Sequence, residues 1–375
     1  MKPGLNPDVI VSALKVSAYR IPCSSHEADG TFEWDETIMV IVHAEGGGQT
    51  GIGYSYTGLA AATVIEENLT KKVLGHDALS PRAAYDLMVQ GVRNIGRDGV
   101  ASSAISAVDA ALWDLKARLL DVSMVDLLGA VRQTIPVYGS GGFTSYSDRQ
   151  LKEQLSGWVN EGIRAVKMKI GTHPDQDVRR VRWARHAIGD EAALFVDANG
   201  AYDRKQARHK ALQFADSGVS WFEEPVSSDD LEGLRLLRDR SPSGMEIAAG
   251  EYGYNMFYFR RMLEAGAVDV LQADATRCGG VTGFLNAGDL VNAWGLPLSA
   301  HTAPSLHGHL CCAVSRARNV EYFHDHVRIE SMLFDGALEA RNGDLRPDRA
   351  SPGFGITIRE SDAERYRIHE SEMRL

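Results

Sequence analysis

The chain has 375 residues, 44% hydrophobic and 24% charged, which suffices for a sizeable core and for two domains or a small domain plus a barrel of roughly 250 residues. A formal net charge of -10 argues against nucleic acid or an anionic membrane as main partner, but not against a small anionic ligand whose charge a metal offsets. No uncharged apolar run approaches ~18 residues, the opening "MKPGLNPDVIVSALKV" lacks a secretion-signal layout, and Cys23, Cys278, Cys311 and Cys312 form no CxxC pair, so a reduced, cytoplasmic protein is expected.

The first 57 residues read as β. "VIVSALKVSAYRI" is followed by the polar, loop-like "PCSSHEADGTFEW", then by a hairpin of "TIMVIVHAE" and "TGIGYSY" around the turn "GGGQ". From about 60 to 130 the period is helical, with Ile105, Val108, Leu112, Leu115 and Leu119 on one face of a helix that stops near Gly129. An antiparallel sheet followed by helices predicts a discrete α+β domain over residues 1–130.

From about 134, eight short apolar runs alternate with amphipathic segments: "IPVYGSGG", "RAVKMKIG", "ALFVDANG", "WFEEP", "EIAAGE", "AVDVLQAD", "LPLSAH" and "NVEYF". Helices are expected at 148–161, 175–187, 204–217 and 281–294. Eight parallel βα units predict a closed α/β barrel over 131–330. The remainder, 331–375, holds a short strand, "GITI", and is expected to fold back onto the first domain.

Charged residues fall where these strands end. Lys167 and Lys169 end the second, Asp197 the third with Asn199 beyond it, Glu223 and Glu224 the fourth, Glu251 the fifth, Asp274 the sixth and His301 the seventh, with Glu321 inside the eighth. Barrel active sites lie at the C-terminal ends of the strands, so these groups would converge on one mouth. Asp197, Glu223 and Glu251 would repel one another unless a hard cation, Mg²⁺ by its oxygen preference, or a basic side chain sits among them. Strand alternation turns Glu224 away from Glu223, as a supporting group that could hold a lysine. Asp274 and His301 end adjacent strands, and a carboxylate on one imidazole nitrogen raises the basicity of the other. The remaining histidines, His307, His309, His324 and His326 included, are read as solvated or helix-capping. Two lysines two apart share a strand face, so Lys167 is expected to depress the pKa of Lys169 and to neutralise a substrate carboxylate. A metal between Lys169 and His301 suits removal of a proton next to a carboxylate through an enediolate.

These motifs resemble the enolase superfamily, mandelate racemase subgroup, across nearly the whole chain. "VKMKIG" is similar to its Lys-x-Lys motif, "VDANG", "FEEP" and "AGE" to its three metal-ligand motifs, "QADATRCGGVTG" with "SAH" to its Asp–His dyad, and "VEYF" to its last-strand glutamate. The resemblance implies a (β/α)7β TIM-like barrel with an N-terminal α+β cap completed by the C-terminal segment. It implies Mg²⁺ on Asp197, Glu223 and Glu251, Lys169 as base on one face, and His301, oriented by Asp274, on the other. Lys167 would contact the substrate carboxylate, Glu321 would hydrogen-bond the enediolate, and Asn199 would contact substrate. A lysine stands at the position of Asp274 in the muconate-cycloisomerase-like branch, which is therefore disfavoured. Arg277 is open between adding charge near the dyad and being a surface arginine.

Dehydration of an acid sugar to a 2-keto-3-deoxy acid is the preferred reaction. Racemisation or epimerisation of an α-hydroxy acid, and a non-catalytic carboxylate-binding barrel, are the alternatives. The segment "CSSHEADGTFEW", with His26, Glu27 and Asp29 beside Phe32 and Trp34, would close over the mouth and set specificity. A homo-oligomer is expected by analogy with the family.

Overall fold

The computed structural model describes residues 9–375. Residues 1–8, read above for a secretion signal, lie outside the described residues. Strands β1 (Ala13–Ala28), β2 (Glu33–Gly46) and β3 (Gln49–Tyr56) form an antiparallel meander. The polar stretch read as a loop is instead the far end of the β1–β2 hairpin, with a register shift between Pro22 and Glu27. Its tip is short because Asp29 Oδ1 accepts the backbone N–H groups of Thr31 and Phe32 at 2.7 and 2.8 Å, an Asx-type turn. The composition is polar because this end lies over the barrel mouth rather than against a core.

Helix Val100–Leu120 packs on the sheet with Ile105, Val108, Leu112 and Leu115 buried. It ends at Asp121, in left-handed conformation (φ 56°). A separate helix, Met124–Leu128, is the element that stops at Gly129. Asp109, buried in the long helix, accepts from the backbone N–H and hydroxyl of Thr282 at 2.9 and 2.7 Å. That bond ties the sheet-bearing half to the helix Gly280–Trp294, and losing one partner would strand a buried polar group at a cost of about 1–3 kcal/mol.

The eight expected parallel strands are present: β4 (Ile135–Gly141), β5 (Ala165–Lys169), β6 (Ala193–Asp197), β7 (Val219–Glu223), β8 (Glu246–Ala249), β9 (Val270–Ala273), β10 (Leu298–Ala300) and β11 (Ala317–Phe323). Each pairs with the next, and β11 pairs with β4 to close the barrel. Tyr138, Phe195, Trp221, Ala248 and Val270 fill the interior as one cluster. Val166, Met168 and Ile170 point outward into the helix layer, so Lys167 and Lys169 face in.

After the barrel come β12 (Phe334–Asp335), β13 (Asp344–Leu345), β14 (Thr357–Ile358) and β15 (Arg367–Arg374). "GITI" supplies β14, which pairs with β12. The strand that returns to the first sheet is β15, antiparallel to β1 from Ala13–Arg374 to Tyr19–Arg367. Its composition, "RIHESEMR", hides it: one side is solvated, and the charged residues read as a tail. All four cysteines are free, and no helix of the described residues is long and apolar enough to cross a membrane.

Candidate active site

Ladder register builds the centre of the site. Lys169 is the partner of Asp197 across β5–β6, and Asp197 is the partner of Glu223 across β6–β7. Glu251 joins them from just beyond β8, where Gly250 adopts φ 134° and an added Cβ would run into the carbonyl oxygen of Gln272. One carboxylate oxygen from each of Asp197, Glu223 and Glu251 lies within 4.8 Å of the others. The trio is held from behind: Asn199 N–H donates to Asp197 Oδ1 at 2.9 Å, and Trp221 Nε1–H donates to Glu223 Oε2 at 2.9 Å. Glu251 Oε2 is buried without a hydrogen-bond partner.

Three cationic side chains, Lys167, Lys169 and Arg277, lie among five carboxylates: Asp197, Glu223, Glu251, Asp274 and Glu321. With all five ionised, two negative charges are left over, and burial, then Asp197, drive the pKa of Glu223 upward. An all-oxygen trio with an orphaned oxygen and that surplus fits a hard divalent cation.

Lys167 is fully buried between Glu223, which it touches, and Glu321 Oε1 at 2.8 Å, with Asp197 Oδ2 at 3.5 Å. Burial disfavours its ammonium, but Glu223 and Glu321 outweigh burial and raise its pKa. It does not reach the wall of the cleft described below. Lys169 does, and its Nζ lies 2.5 Å from Asp197 Oδ2. Burial and Lys167 both push its pKa down, yet Asp197 prevails and the pKa is raised. The expected depression by Lys167 is therefore present but overruled, because a carboxylate in contact outweighs a second ammonium farther off.

His301 Nδ1–H donates to Asp274 Oδ2 at 2.8 Å, which leaves Nε2 facing Glu251 Oε2 at 3.4 Å and Glu321 Oε2 at 3.7 Å. Burial works to raise the Asp274 pKa, but the bond from His301 and the charge of Arg277 hold it below the usual range. Arg277 is not a surface arginine. Its guanidinium lies 3.4 Å from Glu251 Oε1 and 3.6 Å from Asp274 Oδ2, linking the carboxylate trio to the dyad. Thr302 and Ala303 follow in left-handed conformation (φ 56° and 40°), which turns the Thr302 N–H onto Glu321 Oε2 at 3.2 Å. Ser140 donates to the other oxygen at 2.6 Å, so Glu321 is an acceptor on both sides.

Two other expectations change. Glu224, at φ 37°, holds no lysine: its Oε1 is unpartnered, and burial, then Glu251, drive its pKa upward. The four histidines read as solvated or capping are not exposed. His307 donates Nδ1–H to Thr302 O at 2.7 Å and accepts from Ala275 N–H at 2.9 Å, bracing the turns that carry the dyad. His309 is fully buried, and His324 bonds Ser24 Oγ at 3.2 Å. His326 stacks on Tyr56 and lines the cleft, a role that no spacing in the sequence signals.

The cleft encloses about 370 Å³ above the trio. Lys169, Asn199, Glu251, Arg277, His301 and Glu321 form its floor. Asp29, Phe32, Trp34, Thr37 and Tyr56 form the opposite wall. The hairpin tip rests on the strand ends: Thr31 Oγ1 donates to Asn199 O at 3.3 Å, and Thr144 Oγ1 donates to Asp29 O at 2.9 Å. His26, by contrast, bonds Asp35 and does not line the cleft.

This arrangement has known counterparts. Residues 15–129 match the mandelate racemase/muconate lactonizing enzyme N-terminal domain, and residues 150–362 match the enolase C-terminal domain-like family. The chain belongs to the mandelate racemase/muconate lactonizing enzyme family. Among its relatives, a 3,6-anhydro-alpha-L-galactonate cycloisomerase from Streptomyces coelicolor is 32% identical over 93% of this chain and 97% of its own. The crystal structure of a mandelate racemase/muconate lactonizing enzyme-like protein from Rubrobacter xylanophilus is 51% identical, with a TM-score of 0.94 over 96% of this chain and 99% of that one. L-talarate/galactarate dehydratase from Salmonella typhimurium LT2, crystallised with Mg and L-lyxarohydroxamate, is 28% identical, with a TM-score of 0.90 over 100% of this chain and 97% of that one.

Proposed function

We propose that this family member removes the proton alpha to a carboxylate with Mg²⁺ held by Asp197, Glu223 and Glu251, and that the outcome is dehydration of an acid sugar to a 2-keto-3-deoxy acid. The observation that carries this reading is a carboxylate trio flanked by Lys169 and His301, both facing one cleft. When bound, Mg²⁺ supplies positive charge against the substrate carboxylate as it becomes an enediolate, and it draws the charge of Asp197 away from Lys169. Lys169 takes the α-proton, helped by the repulsion of Lys167, which acts through its field from beneath the floor. His301, held through its Nδ1–H by Asp274 and carrying a second proton as the imidazolium, gives the Nε2 proton to the β-hydroxyl, which leaves as water and returns His301 to the neutral imidazole. The resulting enol takes up a proton at C3 and becomes the 2-keto acid. Glu321 is held as a carboxylate by Lys167, Ser140 and Thr302, so it must first gain a proton to hydrogen-bond the enediolate.

A second reading is favoured by the same pair. Proton removal by Lys169 and return by His301 is racemisation or epimerisation. Incubation with Mg²⁺ in D₂O against a panel of acid sugars and α-hydroxy acids separates the two. Dehydration is expected to give α-deuterium exchange by proton NMR together with semicarbazide-reactive 2-keto product. Exchange without keto product selects racemisation or epimerisation, and neither signal on any acid refutes both. The division at residues 130/131 and 330/331, a homo-oligomer and a cytoplasmic location belong to the same proposal.

A further inference from the structure

The two ends of the cleft differ in the cations that line them. Among the described residues, Lys169 and Arg277 are the lysine and arginine side chains that line it, both on the barrel floor. Each is already against carboxylates, Lys169 on Asp197 and Arg277 on Glu251 and Asp274. The opposite wall, from the hairpin and β3, carries two carboxylates, Asp29 and Glu36, with Thr37 and Thr57 hydroxyls between apolar faces, and no lysine or arginine. Arg20 pairs with Glu36 at 3.1 Å from the solvent side and does not line the cleft. The basic group that lines the cleft beside that wall is His326. Its Nδ1 accepts the Ala303 N–H at 3.4 Å, which puts its proton on Nε2, and burial lowers its pKa to about 3. It is a neutral donor. The far wall therefore offers acceptors, hydroxyls and one uncharged imidazole N–H. Those groups suit hydroxyl or methyl groups, whereas a carboxylate placed there would face Asp29 and Glu36, with Arg20 already paired to Glu36 and outside the lining.

We infer that the substrate carries a single carboxylate: an aldonate-type acid whose far end is a hydroxymethyl or methyl group, not an aldarate with a carboxylate at both ends. The inference rests on the proposed reading only for which end meets the floor.

The test uses pairs that differ only at C6, gluconate with glucarate and galactonate with galactarate, on the full chain with Mg²⁺. Affinity is measured by isothermal titration calorimetry, and turnover by deuterium exchange and keto-acid formation. At least one aldonate is expected to bind at least about tenfold more tightly than its aldarate partner, the ratio that ~1.4 kcal/mol sets. Glu36→Lys, which places a cation on the far wall, is expected to shrink that ratio severalfold. Aldarates that bind as tightly as their aldonates in both pairs, or no binding by any of the four acids, overturn the inference. Selective aldonate binding without exchange or product on any acid supports it while refuting the proposed reaction.

Discussion

The ammonium of Lys169 lies 2.5 Å from a carboxylate oxygen of Asp197, its register partner across the β5–β6 ladder. One carboxylate thus serves a candidate base and a candidate metal site, and a cation entering the trio competes with Lys169 for it. Lys169→Ala is expected to lower turnover about a thousandfold while keeping or tightening Mg²⁺ binding in a calorimetric titration. Asp197→Asn is expected to abolish the stabilisation by Mg²⁺, about 2.7 kcal/mol for the unaltered chain at a hundred times Kd, read as a thermal shift. Mg²⁺ binding lost in Lys169→Ala would refute the competition.

Arg277 joins the two halves of the site through Glu251 and Asp274. Arg277→Met removes a positive charge from a mouth already in negative surplus and loosens the support of the dyad. Turnover is expected to fall by about one to two orders of magnitude, with Arg277→Lys intermediate and circular dichroism unchanged. Steady-state kinetics on whichever acid the exchange assay identifies provides the check, and wild-type rates in the Met variant would show Arg277 to be dispensable.

Gly30, at the hairpin tip, sits so close to the barrel that an added Cβ would run into Ala198 O and lie 2.7 Å from Ile170 O. Both are backbone atoms at strand ends and cannot swing aside. Gly30→Ala is expected to lift the tip, raising KM and speeding hydrogen exchange in residues 22–34. The melting temperature should shift little, because the barrel core is untouched. Unchanged exchange and kinetics would mean that the tip does not press on the mouth.

Glu27 is buried in the same hairpin, accepting from Trp34 Nε1–H at 3.0 Å with its other oxygen unpartnered. Burial, then Asp325, raises its pKa to about 8. A carboxyl with a raised folded pKa binds more protons folded than unfolded between its two pKa values. Its contribution to stability is therefore full below about pH 4.3, the unfolded value, and is lost as pH rises toward 8. Hydrogen exchange in residues 20–36 is expected to be slower at pH 6 than at pH 9 after correction for intrinsic rates, and Glu27→Gln should flatten that difference. A hairpin equally protected at both values would contradict the assignment.

The barrel was legible in the sequence because parallel strands buried on both faces leave short apolar runs, and because strand ends carry the chemistry. Asp197, Glu223, Glu251, Asp274 and His301 could be singled out on that ground alone. The segment over the mouth was anticipated there but as a loop, since a strand facing a polar cleft has the composition of one. Nor was β15, whose partner strand lies some 350 residues away.

Periodicity and residue type by themselves determined which side chains face the barrel interior, because side-chain direction along a strand is a local property of the backbone. Only the tertiary structure decided what those side chains do to one another. Burial and contact distance make Asp197 prevail over Lys167 in setting the proton affinity of Lys169. They draw Arg277 into the site, seat His326 against Tyr56, and leave no lysine or arginine among the described residues that line the far wall. Electrostatic balance depends on separations of a few ångströms between groups remote in the chain, and no local pattern encodes those.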